Sequence, residues 1–223
     1  MIKLINVYKN YGENRVFSDF NLTLADGEIT AVLGESGVGK TTLLNIISGH
    51  TGFEGKVENA PEKCSFVFQE DRLLPFKTAE GNLEFALGKG DYSAYLEKVG
   101  LRGCENKYPG ELSGGMSRRV SLLRAFLYES DVLLMDEPFS SLDIGTKYSV
   151  MDYFLKMWKE DGRTAVFVTH SPDEAAYVSD RAVVIGEGGK ILFDEKNPFK
   201  ASGSERDLAD FTMKITSVFI KKR

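Results

Sequence analysis

One short stretch near the start of the chain, Gly34-Glu35-Ser36-Gly37-Val38-Gly39-Lys40-Thr41, constrains the fold more than any other. It fits the pattern G-x-x-x-x-G-K-[ST]. Ahead of it runs Glu28-Ile29-Thr30-Ala31-Val32-Leu33, β-rich and mostly apolar, the pattern of a buried strand; behind it Thr42-Leu43-Leu44-Asn45-Ile46-Ile47-Ser48 reads as a helix. A strand that hands over to a helix through a glycine loop makes an anion cradle. The glycines let the backbone curl so that several N–H groups point inward, and the helix N-terminus adds the positive end of its dipole. In such a cradle Lys40 reaches towards β- and γ-phosphates and the Thr41 hydroxyl towards Mg²⁺. The bland alternative is a chance glycine-rich turn, and the flanking strand and helix argue against it.

Around this stretch the chain reads as strands alternating with helices. Residues 2–7 and 16–24 carry strand patterns, with a turn at Asn10-Tyr11-Gly12-Glu13-Asn14 and another at Ala25-Asp26-Gly27. A short strand lies near Lys56-Val57, and Cys64-Ser65-Phe66-Val67-Phe68 is a compact apolar strand ending at Gln69. Residues 70–111 show little β-pattern. Helices are expected there over 78–87 and 92–99, broken by Gly88-Lys89-Gly90 and Gly100, so this is a helical insertion and not a linker. Alternation then resumes, with helices over 116–128, 147–160 and 173–178 and strands over 132–135, 164–169, 181–185 and 190–193. That order predicts an α/β fold with a mostly parallel sheet and helices on its faces.

Two further segments carry chemistry. Val132-Leu133-Leu134-Met135-Asp136 is an apolar strand ending in a carboxylate, and ligands in open α/β sheets sit at the carboxyl ends of strands. Asp136 is therefore placed to hold Mg²⁺, directly or through water. Glu137 follows at once, and a division of labour between the two acids is expected: one handles the metal, the other orients or deprotonates an attacking water. Leu112-Ser113-Gly114-Gly115-Met116 is a second glycine-rich helix start, readable as another anion site or as a plain helix cap by Ser113.

Taken together these motifs resemble the ATP-binding subunit of an ATP-binding cassette (ABC) transporter. Gly34 to Thr41 matches the Walker A motif, Gln69 the Q-loop, Leu112 to Met116 the family signature, and Val132 to Glu137 the Walker B motif with its glutamate. Ser141-Leu142-Asp143 matches the D-loop, His170 the switch histidine, and Tyr11 the aromatic that stacks on adenine. The match runs in order from about Tyr11 to Arg181. The resemblance implies a P-loop NTPase (RecA-like) core, an N-terminal antiparallel β part and a helical subdomain at 70–111, within one nucleotide-binding domain whose remainder is 1–69 and 112–223.

The resemblance also implies ATP and Mg²⁺ as ligands and a head-to-tail pair of subunits. Each nucleotide then lies between the phosphate loop of one copy, extended by Thr42, and the Ser113-Gly114-Gly115 helix start of the other, with Asp143 beside it. It implies that Lys40 neutralises phosphate charge, that Thr41, Asp136 and Gln69 serve the metal, that Glu137 is the general base, and that His170 hydrogen-bonds the γ-phosphate in the transition state. His170 could instead be a structural histidine at a strand end. The implied partners are a second copy, membrane permease subunits and an external solute-binding protein, from a place on the inner face of the cell membrane.

Val67 to Phe76 and Asp136-Glu137-Pro138-Phe139 resemble the nitrate, sulfonate and taurine importer ATPases; an exporter subunit, or a soluble ABC ATPase acting on nucleic acid or ribosomes, are the alternatives. A net charge of −5 gives no sign of a nucleic-acid surface. Against the family pattern, Met116 stands where glutamine is common, Ser117 and Arg118 replace a basic residue and a glutamine, and Ser171 replaces an aspartate. None of these removes a catalytic group.

The remaining conspicuous residues have plain readings. Cys64 and Cys104 lack metal-ligand spacing and read as reduced thiols. His50 is expected to be exposed, and Tyr153, Phe154, Met157 and Trp158 to be core. The tail carries Phe211, Ile215, Val218 and Phe219 before Lys221-Lys222-Arg223, and packing on its own domain is expected over contact with anionic lipid. Leu73, Leu74 and Phe76 are expected to line the groove that receives the permease. The N-terminus lacks the long apolar run of a signal peptide, and no stretch is apolar enough to span a bilayer.

Overall fold

The computed structural model describes residues 1–140 and 142–220; Ser141 and the basic end Lys221-Lys222-Arg223 lie outside the described residues. The first two strands, β1 (Ile2–Tyr11) and β2 (Asn14–Leu24), form a hairpin. Between them Gly12 takes a left-handed φ of 59°, which suits a glycine in so tight a turn. The strand β4 (Glu54–Glu58) pairs on the other side of β1, completing an antiparallel three-stranded sheet.

The larger sheet has the order β5-β6-β7-β3-β8-β9. Its members are β3 (Ile29–Leu33), β5 (Cys64–Val67), β6 (Val132–Asp136), β7 (Thr164–Thr169), β8 (Arg181–Ile185) and β9 (Ile191–Lys196). All pairings are parallel except that of β9 with β8. Every residue of β3, β6 and β7 is buried, as expected of central parallel strands covered on both faces.

The two faces separate by the period-two alternation of the strands. Ile29, Ala31 and Leu33, with Ala165 and Phe167, face a core completed by α4 (Gly114–Leu127), α5 (Ile144–Asp161), α6 (Pro172–Val178) and α8 (Glu205–Ile220). Val32, Val166, Val168 and Val183 face the opposite core, shared with α1 (Lys40–Ile47) and the inner side of the antiparallel sheet through Phe17 and Phe20. In the insertion, α2 (Ala79–Leu87) and α3 (Ser93–Lys98) build a third cluster. Ala79, Leu83, Leu96, Val99 and Leu101 close it against Val120 and Leu123 of α4. The insertion thus has no core without the helix that begins at Gly114.

Three helices begin two or three residues earlier than the sequence pattern puts them. α1 begins at Lys40, α4 at Gly114 and α5 at Ile144. Polar caps explain the last two: the Ser113 hydroxyl accepts from the Met116 N–H at 3.3 Å, and the Asp143 carboxylate from the Thr146 N–H at 3.0 Å. The tail also gains structure that the sequence reading did not lay out, a short α7 (Phe199–Ser202) and then α8. Phe211 and Ile215, one turn apart, are fully buried in the main core, so the tail packs on its own domain. Among the described residues no helix is long and apolar enough to cross a membrane.

Candidate functional site

Parallel strands end on one edge of a sheet, and three segments with polar chemistry leave from that edge. Gly34 follows β3, Glu137 follows β6 and His170 follows β7. The register holds them level: Leu33 lies beside Thr169, and Asp136 beside Val168.

At the loop after β3, Gly37 and Gly39 take left-handed φ values of 82° and 107°. These curl the backbone into the start of α1. A side chain at Gly39 would meet Val16 Cγ1 at 2.4 Å and Phe17 Cζ at 3.1 Å, so β2 braces the loop from behind. Glu35, Ser36 and Gly37 are exposed at its rim, Val38 is half-buried, and Gly34, Gly39 and Lys40 are buried. The Lys40 ammonium donates to the carbonyls of Gly34 and Glu35, both at 2.9 Å. Burial lowers its pKa, opposed by the charges of Glu137 and then Asp136. Those two carboxylates therefore lie close enough for Lys40 to feel them.

The Thr41 hydroxyl donates to Asp136 Oδ2 at 2.9 Å across 95 residues of sequence. Asp136 is 8% exposed, and burial raises its pKa while the Thr41 bond lowers it. Glu137 lies one residue on with φ 45°, a left-handed conformation uncommon for a side chain of this kind. Its N–H donates to the Val168 carbonyl at 3.0 Å, which ties it to β7. Its Oε1 stands 3.3 Å from His170 Nδ1, so two residues 33 apart in sequence touch at the strand edge. His170 is 63% exposed by side chain and Glu137 19%, an arrangement in which the imidazole faces outward over the carboxylate.

Tyr11 lies half-exposed at the end of β1. Its hydroxyl sits beside Thr51 and Thr42, which hold its pKa below the ordinary phenol value, and the Lys9 ammonium lies 4.5 Å from its ring centroid. Thr42 and Tyr11 are thus neighbours, although separated by two strands. Gln69 is exposed just past β5 and makes no hydrogen bond to Thr41 or Asp136. The start of α4 turns elsewhere within the chain: the side chains nearest to Gly115 are those of Thr146 and Leu142. Ser113 and Asp143 are helix caps here, and neither meets the phosphate loop of its own chain.

Two buried charges escaped the reading of the sequence. Arg118 is 2% exposed, and its guanidinium donates to the carbonyls of Phe68, Glu137 and Pro138 and to Asp71. The signal was present: Arg118 shares a helix face with Leu122 and Ala125, both buried, at i+4 and i+7. Glu174 is also 2% exposed; it accepts from Lys147 at 2.7 Å and from the Thr169 hydroxyl at 2.5 Å. It links the start of α5 to the residue before His170. The thiols are free, as expected: Cys64 is pushed up to about 11 by burial and then by Asp131.

Comparison with known proteins shows the family of the chain. Residues 17–140 match the family model described as ABC transporter. The chain belongs to the ABC transporter family. It is 37% identical to the aliphatic sulfonates import ATP-binding protein SsuB of Bacillus cereus, across 95% of this chain and 91% of that one. It is 36% identical to the taurine import ATP-binding protein TauB of Escherichia coli, across 86% of this chain and 82% of that one. Among solved structures it is similar to a bacterial ABC transporter cassette in dimeric form, with a TM-score of 0.75 and 33% identity over 88% of this chain and 98% of that one. It is also similar to a post-hydrolysis state of a cassette bound to ADP and phosphate, with a TM-score of 0.73 and 31% identity over 88% and 98% of the two chains. The ABC fold is therefore this chain's fold, and its activity is ATP hydrolysis with Mg²⁺.

The residues present fit those ligands. Thr41 and Asp136 offer a hard hydroxyl and carboxylate oxygen pair of the sort Mg²⁺ takes. The loop from Gly34 to Lys40 offers left-handed glycines and a buried ammonium for phosphate.

Proposed function

We propose that this ABC ATPase is the motor subunit of an importer for a small solute of the sulfonate and taurine class. It would work in pairs against a membrane permease. The contact between Glu137 and His170 beside the Thr41–Asp136 pair carries the mechanism. The sulfonate and taurine import proteins that resemble it over 91% and 82% of their length support the direction and the solute class.

In this reading Lys40 leaves the carbonyls of Gly34 and Glu35 for the β- and γ-phosphates, and the N–H groups of residues 34–42 line the polyphosphate. Tyr11 presents its ring to the adenine. Mg²⁺, when bound, neutralises phosphate charge. Thr41 and Asp136 hold it, with Gln69 reporting on it to the insertion. Glu137 takes the proton of the attacking water, and His170 holds the γ-phosphate oxygen where charge develops.

Ser113, Gly114, Gly115 and Asp143 have no part in their own chain's loop, which supports a role across a head-to-tail pair. The dimeric form of the solved relatives supports the same pairing. We infer that residues 70–111 act as the helical subdomain that meets the permease. Phe76 and Phe85 are 72% and 67% exposed there, a large apolar exposure for a surface without a partner. A place on the inner face of the membrane and an external solute-binding protein complete the proposal.

Glu137→Gln tests it. The variant should bind ATP as the parent does, release no phosphate, and run as a stable dimer with ATP in size-exclusion chromatography. Normal phosphate release would remove Glu137 from the role of base.

A further inference from the structure

Glu137 sits in a strained conformation, and the question is what keeps it there. A non-glycine residue at φ 45° costs on the order of 1–2 kcal/mol and persists only where its surroundings over-determine it. The peptide before it is tied to β7 through Val168. The carbonyl after it accepts from three donors: Arg118 Nη2 at 2.7 Å, the Ser140 hydroxyl at 2.9 Å and the Ser140 N–H at 3.2 Å. Arg118 takes the next carbonyl too, Pro138, at 2.5 Å through Nε.

The other side of the same guanidinium faces the turn after β5. Arg118 Nη1 donates to the Phe68 carbonyl at 2.6 Å and to Asp71 Oδ1 at 3.0 Å. Gln69 lies between those two residues. Arg124, two turns along α4, reinforces the hold by donating to the carbonyls of Asp71 and Arg72, both at 3.0 Å. A planar fork of five donors suits this geometry, because it can address two separate backbone segments without moving. A surface role would not bury a guanidinium at 2% exposure on a helix that also carries Ser113 to Gly115 at its start.

We propose that Arg118 is a positioning residue for hydrolysis: it clamps the Glu137–Pro138 peptide in the left-handed turn that aims the Glu137 carboxylate. Through Phe68 and Asp71 it locks that turn to the segment bearing Gln69. The signature helix, the Gln69 turn and the general base then form one rigid junction, so a shift of the insertion is felt at the base. The inference rests on the reading of Glu137 as base.

The test uses the full chain and four variants, with kcat, KM for ATP, ATP affinity by calorimetry and thermal unfolding measured for each. Arg118→Met keeps an unbranched stem as far as the Nε position and removes every donor. Its kcat should fall on the order of 10²-fold, as for a catalytic group displaced by about 1 Å, with KM and ATP affinity within about twofold of the parent. Arg118→Lys restores three N–H donors on a stem that reaches the Cζ position, without the planar fork, and it should recover kcat to within about tenfold. Parental kcat in Arg118→Met, loss of ATP affinity in step with kcat, or an Arg118→Lys variant as slow as Arg118→Met would each overturn the clamp. Should Arg118→Met not fold, Ser140→Ala decides, since it removes a second donor from the same carbonyl. A several-fold fall in kcat at unchanged ATP affinity supports the proposal, and parental kcat overturns it. Glu137→Gln run alongside separates the two readings: if it hydrolyses ATP, the base assignment fails; if it does not and Arg118→Met is normal, only the clamp fails.

Discussion

Replacing Gly39 by alanine puts the phosphate loop under a strain that can be worked out from its surroundings. Gly39 precedes α1 with φ 107° and ψ 13°. An L-residue held in left-handed space loses roughly 1–2 kcal/mol. The added methyl would also lie 2.4 Å from Val16 Cγ1 and 3.1 Å from Phe17 Cζ, both on β2. Phe17 is fully buried and stacked on Phe20 at 4.7 Å, so neither ring can swing aside. Overpacking of this kind adds about 1–3 kcal/mol. The sum, about 2–5 kcal/mol, must appear in one of two places. If the loop stays put, the fold is weakened by that amount in urea. If the loop moves to escape, the inward N–H groups lose their aim, and ATP binding weakens by about 30-fold to a few thousand-fold at 1.4 kcal/mol per decade. Urea unfolding of the nucleotide-free protein and calorimetric titration with ATP measure the two shares. A Gly39→Ala protein with the parent's urea midpoint and the parent's ATP affinity would refute the reasoning.

Two further outcomes follow from buried charges. Burial holds the Asp136 carboxyl above the ordinary carboxylate value, so the folded chain binds its proton more tightly than the unfolded chain. Ionising Asp136 therefore opposes folding at neutral pH, and the penalty fades as pH falls through the raised value. Asp136→Asn should show a higher urea midpoint than the parent at pH 7, with the difference shrinking towards the ordinary carboxylate range; equal midpoints at pH 7 would contradict this. Glu174→Gln removes the charge that Lys147 and Thr169 address, at hydrogen-bond energies of about 1.5–3 kcal/mol for charged partners. For a chain of this length that corresponds to a fall in Tm of roughly 3–12 °C, measured by calorimetry; a shift under 1 °C would show the pair to be without net worth.

Local pattern alone determined most of the elements and the motif set. The period-two runs at β3, β6 and β7, the glycine loop before Lys40 and the carboxylate at the end of β6 are all legible because each depends on residues within a few positions of one another. The tertiary structure decided what those segments meet. That Glu137 touches His170, that Thr41 reaches Asp136, and that Ser113 and Asp143 cap helices away from their own phosphate loop follow from the order of strands in the sheet, which no local window contains. Arg118 makes a related point: its helix face marks it as buried, but only packing against the turns after β5 and β6 supplies the carbonyls that its guanidinium meets. Hydrogen bonds between segments far apart in sequence depend on packing that closes long loops, so their partners are fixed only once the whole sheet has assembled.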